Sequence, residues 1–151
     1  MDLAAELPRL LPRVIAWVEA QEALALASGR PLTPIERQLA VAVGVRQPER
    51  VRIRLDPELP LPGDAELWAA ADATGLLGRG TIGVTFGHAV FIRAGHLTNR
   101  LASHELRHVH QYEQAGSIAA FLPRYLREIV AVGYASSPLE LDARRHERDA
   151  P

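Results

Sequence analysis

Along this chain the spacing of apolar residues shifts from three and four to two and back, and the shifts mark out the elements. From Pro12 to Ala27, Val14, Ile15, Val18, Ala25 and Leu26 recur at helical intervals, and Ser28-Gly29 closes the run. Thr33-Pro34-Ile35-Glu36 opens a second helix with a capping box and a proline at its first position, and that helix ends near Gly44. From Arg50 to Leu55, Val51, Ile53 and Leu55 alternate with Arg50, Arg52 and Arg54, the period of a half-buried strand with a basic, solvated outer face. Pro57, Pro60 and Pro62 make Asp56 to Gly63 a loop, after which Asp64 caps a short helix over Ala65 to Thr74.

Two β-rich runs, Thr81 to Phe86 and His88 to Arg93, meet at Gly87 as a hairpin. They lead into a helix from about Asn99 to Ala115, with Thr98 or Asn99 as its N-cap and Gly116 just past its end. Ser117 caps another helix through about Gly133, with Pro123 near its first turns and Phe121, Leu122, Leu126, Ile129 and Val130 as its apolar stripe. Ser136-Ser137-Pro138 opens a last helix, and the charged tail to Pro151 is expected to fray. The pattern predicts an α+β fold, mostly helical, in a single domain over 1–151. N-terminal helices span 12–44, a small antiparallel sheet and the helix beside it span 50–115, and C-terminal helices span 117–149.

Composition narrows the function classes. A chain of 151 residues can bury a core without metal or disulfide support. A formal net charge of −1, carried on the positive side by arginine alone, gives no field for a polyanion, so nucleic acid is not expected as a partner. Cysteine is absent, which leaves histidine and carboxylate as the only side chains for a metal site. Met1 to Pro8 lacks a basic start and an apolar core of a signal peptide, and no apolar run is long enough to span a membrane. A cytoplasmic location is the default expectation, with delivery by a signal-independent route left open and the oligomeric state unassigned.

The chemistry concentrates in His104-Glu105-Leu106-Arg107-His108. On a helix, positions i and i+4 share a face, so both imidazoles can meet one zinc ion while Glu105 reaches a water on it. A catalytic zinc also needs a third protein ligand and an open position. The candidates are His110, Glu113, Glu140, Asp142 and His146. His110 and Glu113 are turned from His108 by about 200° and 140° around the helix axis, which makes them poor ligands. Glu140 and Asp142 begin a separate helix that can pack against the first. Ser137-Pro138-Leu139-Glu140 is also a capping box, so spacing alone leaves Glu140 with two readings, ligand or cap.

The stretch from Ala102 to Tyr112, ASHELRHVHQY, followed by Gly116, a helix, Tyr134 and Ser137-Pro138-Leu139-Glu140-Leu141-Asp142-Ala143, resembles small bacterial zincin-like metallopeptidase domains, including ones associated with contractile injection systems. Those domains carry HELxHVxQ and a downstream proline-x-glutamate-x-x-alanine segment. The likeness covers roughly Thr81 to Arg145. It implies a gluzincin-type site in a minimal zincin-like fold, with His104, His108 and Glu140 as zinc ligands and Glu105 as the catalytic glutamate.

The expected activity is hydrolysis of peptide bonds, with a metal-activated water and Glu105 as general base. Tyr134, or Tyr112 on the motif face, is a candidate for stabilising the oxyanion, against a plain packing role. The hairpin strand ahead of the motif helix can hold an extended peptide, or serve only as core. His88 and His96 either line the cleft or sit in solvent on loops. The alternatives are a non-catalytic binding or assembly module on the same scaffold, and an effector domain active only after delivery.

Overall fold

The computed structural model describes residues 1–151. Its elements run α1 (Leu3–Ser28), α2 (Pro34–Ala42), β1 (Arg52–Asp56), α3 (Ala65–Thr74), β2 (Gly83–Phe86), β3 (Ala89–Arg93), α4 (Asn99–Ala115), α5 (Ile118–Val132) and α6 (Pro138–Arg145). The fold is α+β, with six helices around a three-stranded sheet. No helix is long and apolar enough to cross a membrane.

The sheet order is β1-β3-β2. β2 and β3 form the expected antiparallel hairpin, turned at Gly87, whose φ of 65° supplies the positive dihedral that a two-residue hairpin turn requires. β1 joins β3 in parallel, so the sheet is mixed rather than antiparallel throughout. A two-residue period fixes which side chains share a face but says nothing of strand direction. Leu55, expected inside with Val51 and Ile53, is 43% exposed, because β1 lies at the outer edge and runs out past the core.

Two hydrophobic clusters lie on the two faces of the sheet. Ala89 and Phe91 of β3 pack with Val18 of α1 and with Phe121, Leu126 and Ile129 of α5. The alternate residues Val90 and Ile92 pack with Leu39 and Val43 near α2 and with Ala102, Leu106 and Val109 of α4. This alternation clamps α4 to the sheet by one stripe and leaves its neighbouring stripe, which carries His104 and His108, facing α5 and α6.

Two departures from the sequence reading concern chain ends. α1 begins at Leu3, capped by Asp2, rather than at Pro12, and contains Pro8 and Pro12. Both prolines sit on the exposed side, where water can bond the carbonyls they leave unpaired. α6 stops at Arg145, and the tail beyond it folds back on α4 instead of fraying. The Arg148 backbone N–H donates to the fully buried Ser103 hydroxyl at 2.8 Å, and Asn99 and Arg100 bond Asp149.

Candidate metal centre

The motif helix forms where its caps demand. The Thr98 hydroxyl accepts from the Leu101 N–H at 3.1 Å, and Gly116, at φ 98°, ends the helix in the left-handed conformation that glycine tolerates. Within α4, Ala102, Leu106 and Val109 are the core stripe, so His104 and His108 stand together one step round the helix with ring centroids 5.0 Å apart.

Facing them is Glu140 from the first turn of α6, only 1% exposed. Its Oε1 lies 3.3 Å from His104 Nε2 and its Oε2 lies 2.8 Å from His108 Nε2. The three donors lie within 4.8 Å of one another and can hold a metal ion. Tetrahedral zinc with ligands at about 2.0–2.1 Å places donor atoms about 3.3 Å apart. The contact to His104 matches that spacing and the contact to His108 is about 0.5 Å shorter, and two imidazoles with one carboxylate are a donor set zinc accepts, so the residues fit the group.

The histidines are held from behind. His108 Nδ1 pairs with Gln111 Oε1 at 2.8 Å, and the Gln111 amide donates in turn to the Leu139 carbonyl and to Asp142. His104 Nδ1 lies 3.4 Å from Glu147 Oε2, a contact the folded-back tail supplies. With both Nδ1 atoms engaged, each Nε2 is aimed at Glu140, the arrangement that fixes tautomer and ring orientation at metal sites.

Electrostatics reflect the same convergence. Burial opposes charge on His104, but the hydrogen bond to Glu140 and the negative charges of Glu105 and Glu140 prevail and push its pKa up to about 9. His108 is raised against its burial in the same way. Burial works against the Glu140 carboxylate too, yet the two histidines and Tyr125 hold its pKa far below the usual carboxylate range.

Glu105 comes off α4 beside His104 and is buried, turned toward β2. The Thr85 hydroxyl lies 2.6 Å from Glu105 Oε2 and donates to it. Gly83 comes so close that a Cβ there would sit 2.9 Å from Glu105 Oε1. β2 is an edge strand of the sheet. Because the Arg93 N–H bonds the Ile82 carbonyl, residues 82, 84 and 86 face β3, and the backbone groups of Gly83 and Thr85 point to the unpaired edge.

The other sequence candidates fall elsewhere. His110 Nδ1 pairs with the Gly44 carbonyl at 2.8 Å, holding the turn after α2, and His146 Nδ1 pairs with the Asp142 carbonyl at 2.7 Å. Asp142 binds Arg107 at 2.8 Å and Gln111 at 2.8 Å, which locks α6 to α4 one step behind the ligands. Glu113 accepts from the Arg46 and Gln47 backbone N–H groups and pairs with His88. His88 is thus a buried structural partner at the far end of α4, neither cleft-lining nor exposed, whereas His96 is exposed. The Ser137 hydroxyl accepts from the Glu140 N–H at 3.4 Å, but the Glu140 carboxylate turns to the histidines, so half of the expected capping box is present.

Tyr134 lies on a short 3-10 turn and faces Glu140. Its burial and that neighbouring charge push its phenol well above the usual range. Tyr112 stacks on Phe121 with centroids 3.8 Å apart, a packing role. Tyr125 was not apparent from the sequence: its hydroxyl donates to Glu140 Oε2 at 2.6 Å. Its signal was the spacing of four from Phe121 on a buried stripe, where a phenol must find an acceptor. Comparison with protein-family models, with curated proteins and with solved structures finds no match, so the reading of this centre rests on its own residues.

Proposed function

We propose that the chain is a zinc-dependent peptidase whose metal is held by His104, His108 and Glu140. The observation that carries this reading is the convergence of those three donors beside a buried glutamate, Glu105, that is not among them. A zinc kept only for architecture is normally closed by four protein ligands, whereas three donors leave room for a water and a substrate. Zinc bound there would acidify a water and polarise a carbonyl.

The protein's own residues do the rest. Glu105 takes the proton of the attacking water and passes it to the leaving amine, and the Thr85 hydroxyl fixes the carboxylate by one oxygen so that the other is free for that exchange. The unpaired edge of β2 at Gly83 pairs with an extended peptide through main-chain hydrogen bonds and lays its backbone across the centre. Tyr134, a neutral phenol that faces Glu140, is the candidate to stabilise the oxyanion. Tyr125 holds Glu140.

The test is metal analysis paired with cleavage of a mixed peptide library. Wild type should hold about one zinc per chain and cut peptides. Glu105→Gln should keep the zinc and lose the cutting, and persistent cleavage by that variant would overturn the mechanism.

A further inference from the structure

A cavity of about 110 Å³ opens directly beside the metal centre. Glu105, His108 and Glu140 form its polar end. From there it runs under α1 and α3, between Leu10, Val14 and Trp17 on one side and Leu67, Ala71 and Leu77 on the other. β2 supplies a further wall through Gly83 to Phe86, so a peptide paired along that edge lies beside the cavity.

Three properties of the lining define what it takes. It is almost wholly apolar, which favours a hydrocarbon group removed from water. Its ionisable members are the two glutamates and His108 of the centre, with no arginine among them although the chain has 17, so along its apolar length an acidic side chain meets no cation. Its volume is smaller than the roughly 150 Å³ of an engineered apolar cavity that holds a benzene ring, a size suited to a branched or straight aliphatic side chain.

We infer that this cavity binds an aliphatic side chain, of the size of leucine or methionine, adjoining the scissile bond of an internal peptide segment. The inference rests on the peptidase reading and specifies its substrate class. α3 is the adjustable wall: Leu67 is its one buried residue, and ion pairs from Arg9 and Arg13 to Glu66 and Asp64 tie it to α1. A change in the size of an α3 side chain should therefore alter the selectivity of the cavity without dismantling the centre.

Two measurements test this. In the first, the zinc-loaded protein cuts a peptide library, and mass spectrometry reads the residues flanking each cut. Leucine, methionine and isoleucine should be enriched at one flanking position, with aspartate and glutamate depleted there. Ala71→Phe, which fills the cavity, should lower kcat/KM for a leucine peptide relative to its alanine counterpart by about 10-fold or more. Leu67→Ala, which enlarges it, should shift preference toward phenylalanine, and this second variant guards against misfolding of the first.

The second measurement needs no metal and no turnover. In the Trp68→Phe background Trp17 is the only tryptophan, and it lines the cavity. N-acetyl-leucinamide should blue-shift its emission at concentrations where N-acetyl-alaninamide does not, and Ala71→Phe should remove the shift. Library cleavage with no side-chain preference, or a preference indifferent to both α3 variants, would overturn the cavity assignment while leaving the peptidase reading intact. Leucinamide binding that Ala71→Phe abolishes, without any cleavage by the zinc-loaded protein, would sustain the cavity and overturn the peptidase reading.

Discussion

Glu140 is where the reading of this protein is most exposed to refutation, because a cap and a ligand predict different losses on substitution. If Glu140 only capped α6, its removal would cost about 1 kcal/mol and leave metal binding alone. The structure gives the capping role to Ser137, whose hydroxyl accepts from the Glu140 N–H, and gives the carboxylate to His104, His108 and Tyr125. Ser137→Ala should therefore show the 1 kcal/mol loss with zinc affinity unchanged. Glu140→Gln keeps volume and an acceptor for Tyr125 but removes the charge, and should lower zinc affinity by more than the roughly 10–100-fold that loss of a supporting residue costs. Competition against a chromophoric chelator measures this directly.

The metal-free protein gives a second arm through pH. Glu140 titrates far below its ordinary value of 4.5 when folded, so its contribution is present above pH 4.5 and is lost as pH falls. His104 is raised from 6.5 to about 9, so its contribution is full below pH 6.5 and is lost as pH rises through 9. The stability difference between wild type and Glu140→Gln, read from urea midpoints, should thus peak between about pH 4.5 and 6.5 and shrink on both sides. A Glu140→Gln protein that binds zinc within tenfold of wild type, with a flat pH difference of about 1 kcal/mol, would return the residue to capping.

Other substitutions separate position from stability. Gly83→Ala should lower kcat by about 10-fold or more, because the added Cβ meets the Glu105 side chain and pushes it from its place beside Thr85. Thr85→Val should lower kcat, and Thr85→Ser should restore it. Glu147→Ala should weaken zinc binding by about 10-fold in the same chelator assay, since it removes the carboxylate behind His104. Glu36→Gln should cost about 1 kcal/mol at pH 7 by removing the charge that pairs with Arg30, since glutamine can keep the capping box. That cost should fade as pH drops below 4.5, because Arg30 and Thr33 hold the carboxyl below its ordinary value against its burial.

What the sequence revealed of the fold was what short-range rules govern. Thr98 and Gly116 bound α4, Thr33 and Glu36 bound the start of α2, and Gly87 turned the hairpin, because caps and positive dihedrals act within four residues. The start of α1 was hidden because Pro8 and Pro12 read as breakers, and only their placement on the solvent side makes them tolerable. The direction of β1 was hidden because alternation is the same in parallel and antiparallel pairs. In the site, His104 and His108 were legible from one helical turn. Tyr125, Thr85 and Glu147 reach the centre from other elements, through separations of 15, 20 and 43 residues that no local pattern encodes.

Those long separations explain why the motif helix carries polar residues beyond the ligands. Arg107 and Gln111 both donate to Asp142, and Gln111 also meets His108 and the Leu139 carbonyl. Arg107 further donates to the Val43 carbonyl at 2.7 Å, which ties α2 into the same assembly. The helix that supplies two donors thus also fixes the helix that supplies the third, through a carboxylate two residues past Glu140. A site assembled from two helices needs their separation held to a fraction of an ångström, and apolar packing alone permits sliding by more than that. Arg107→Ala should therefore disturb metal affinity more than folding stability, although its side chain never touches the metal position. If zinc affinity in that variant stayed at the wild-type value while stability fell, the lock between α4 and α6 would be architectural only.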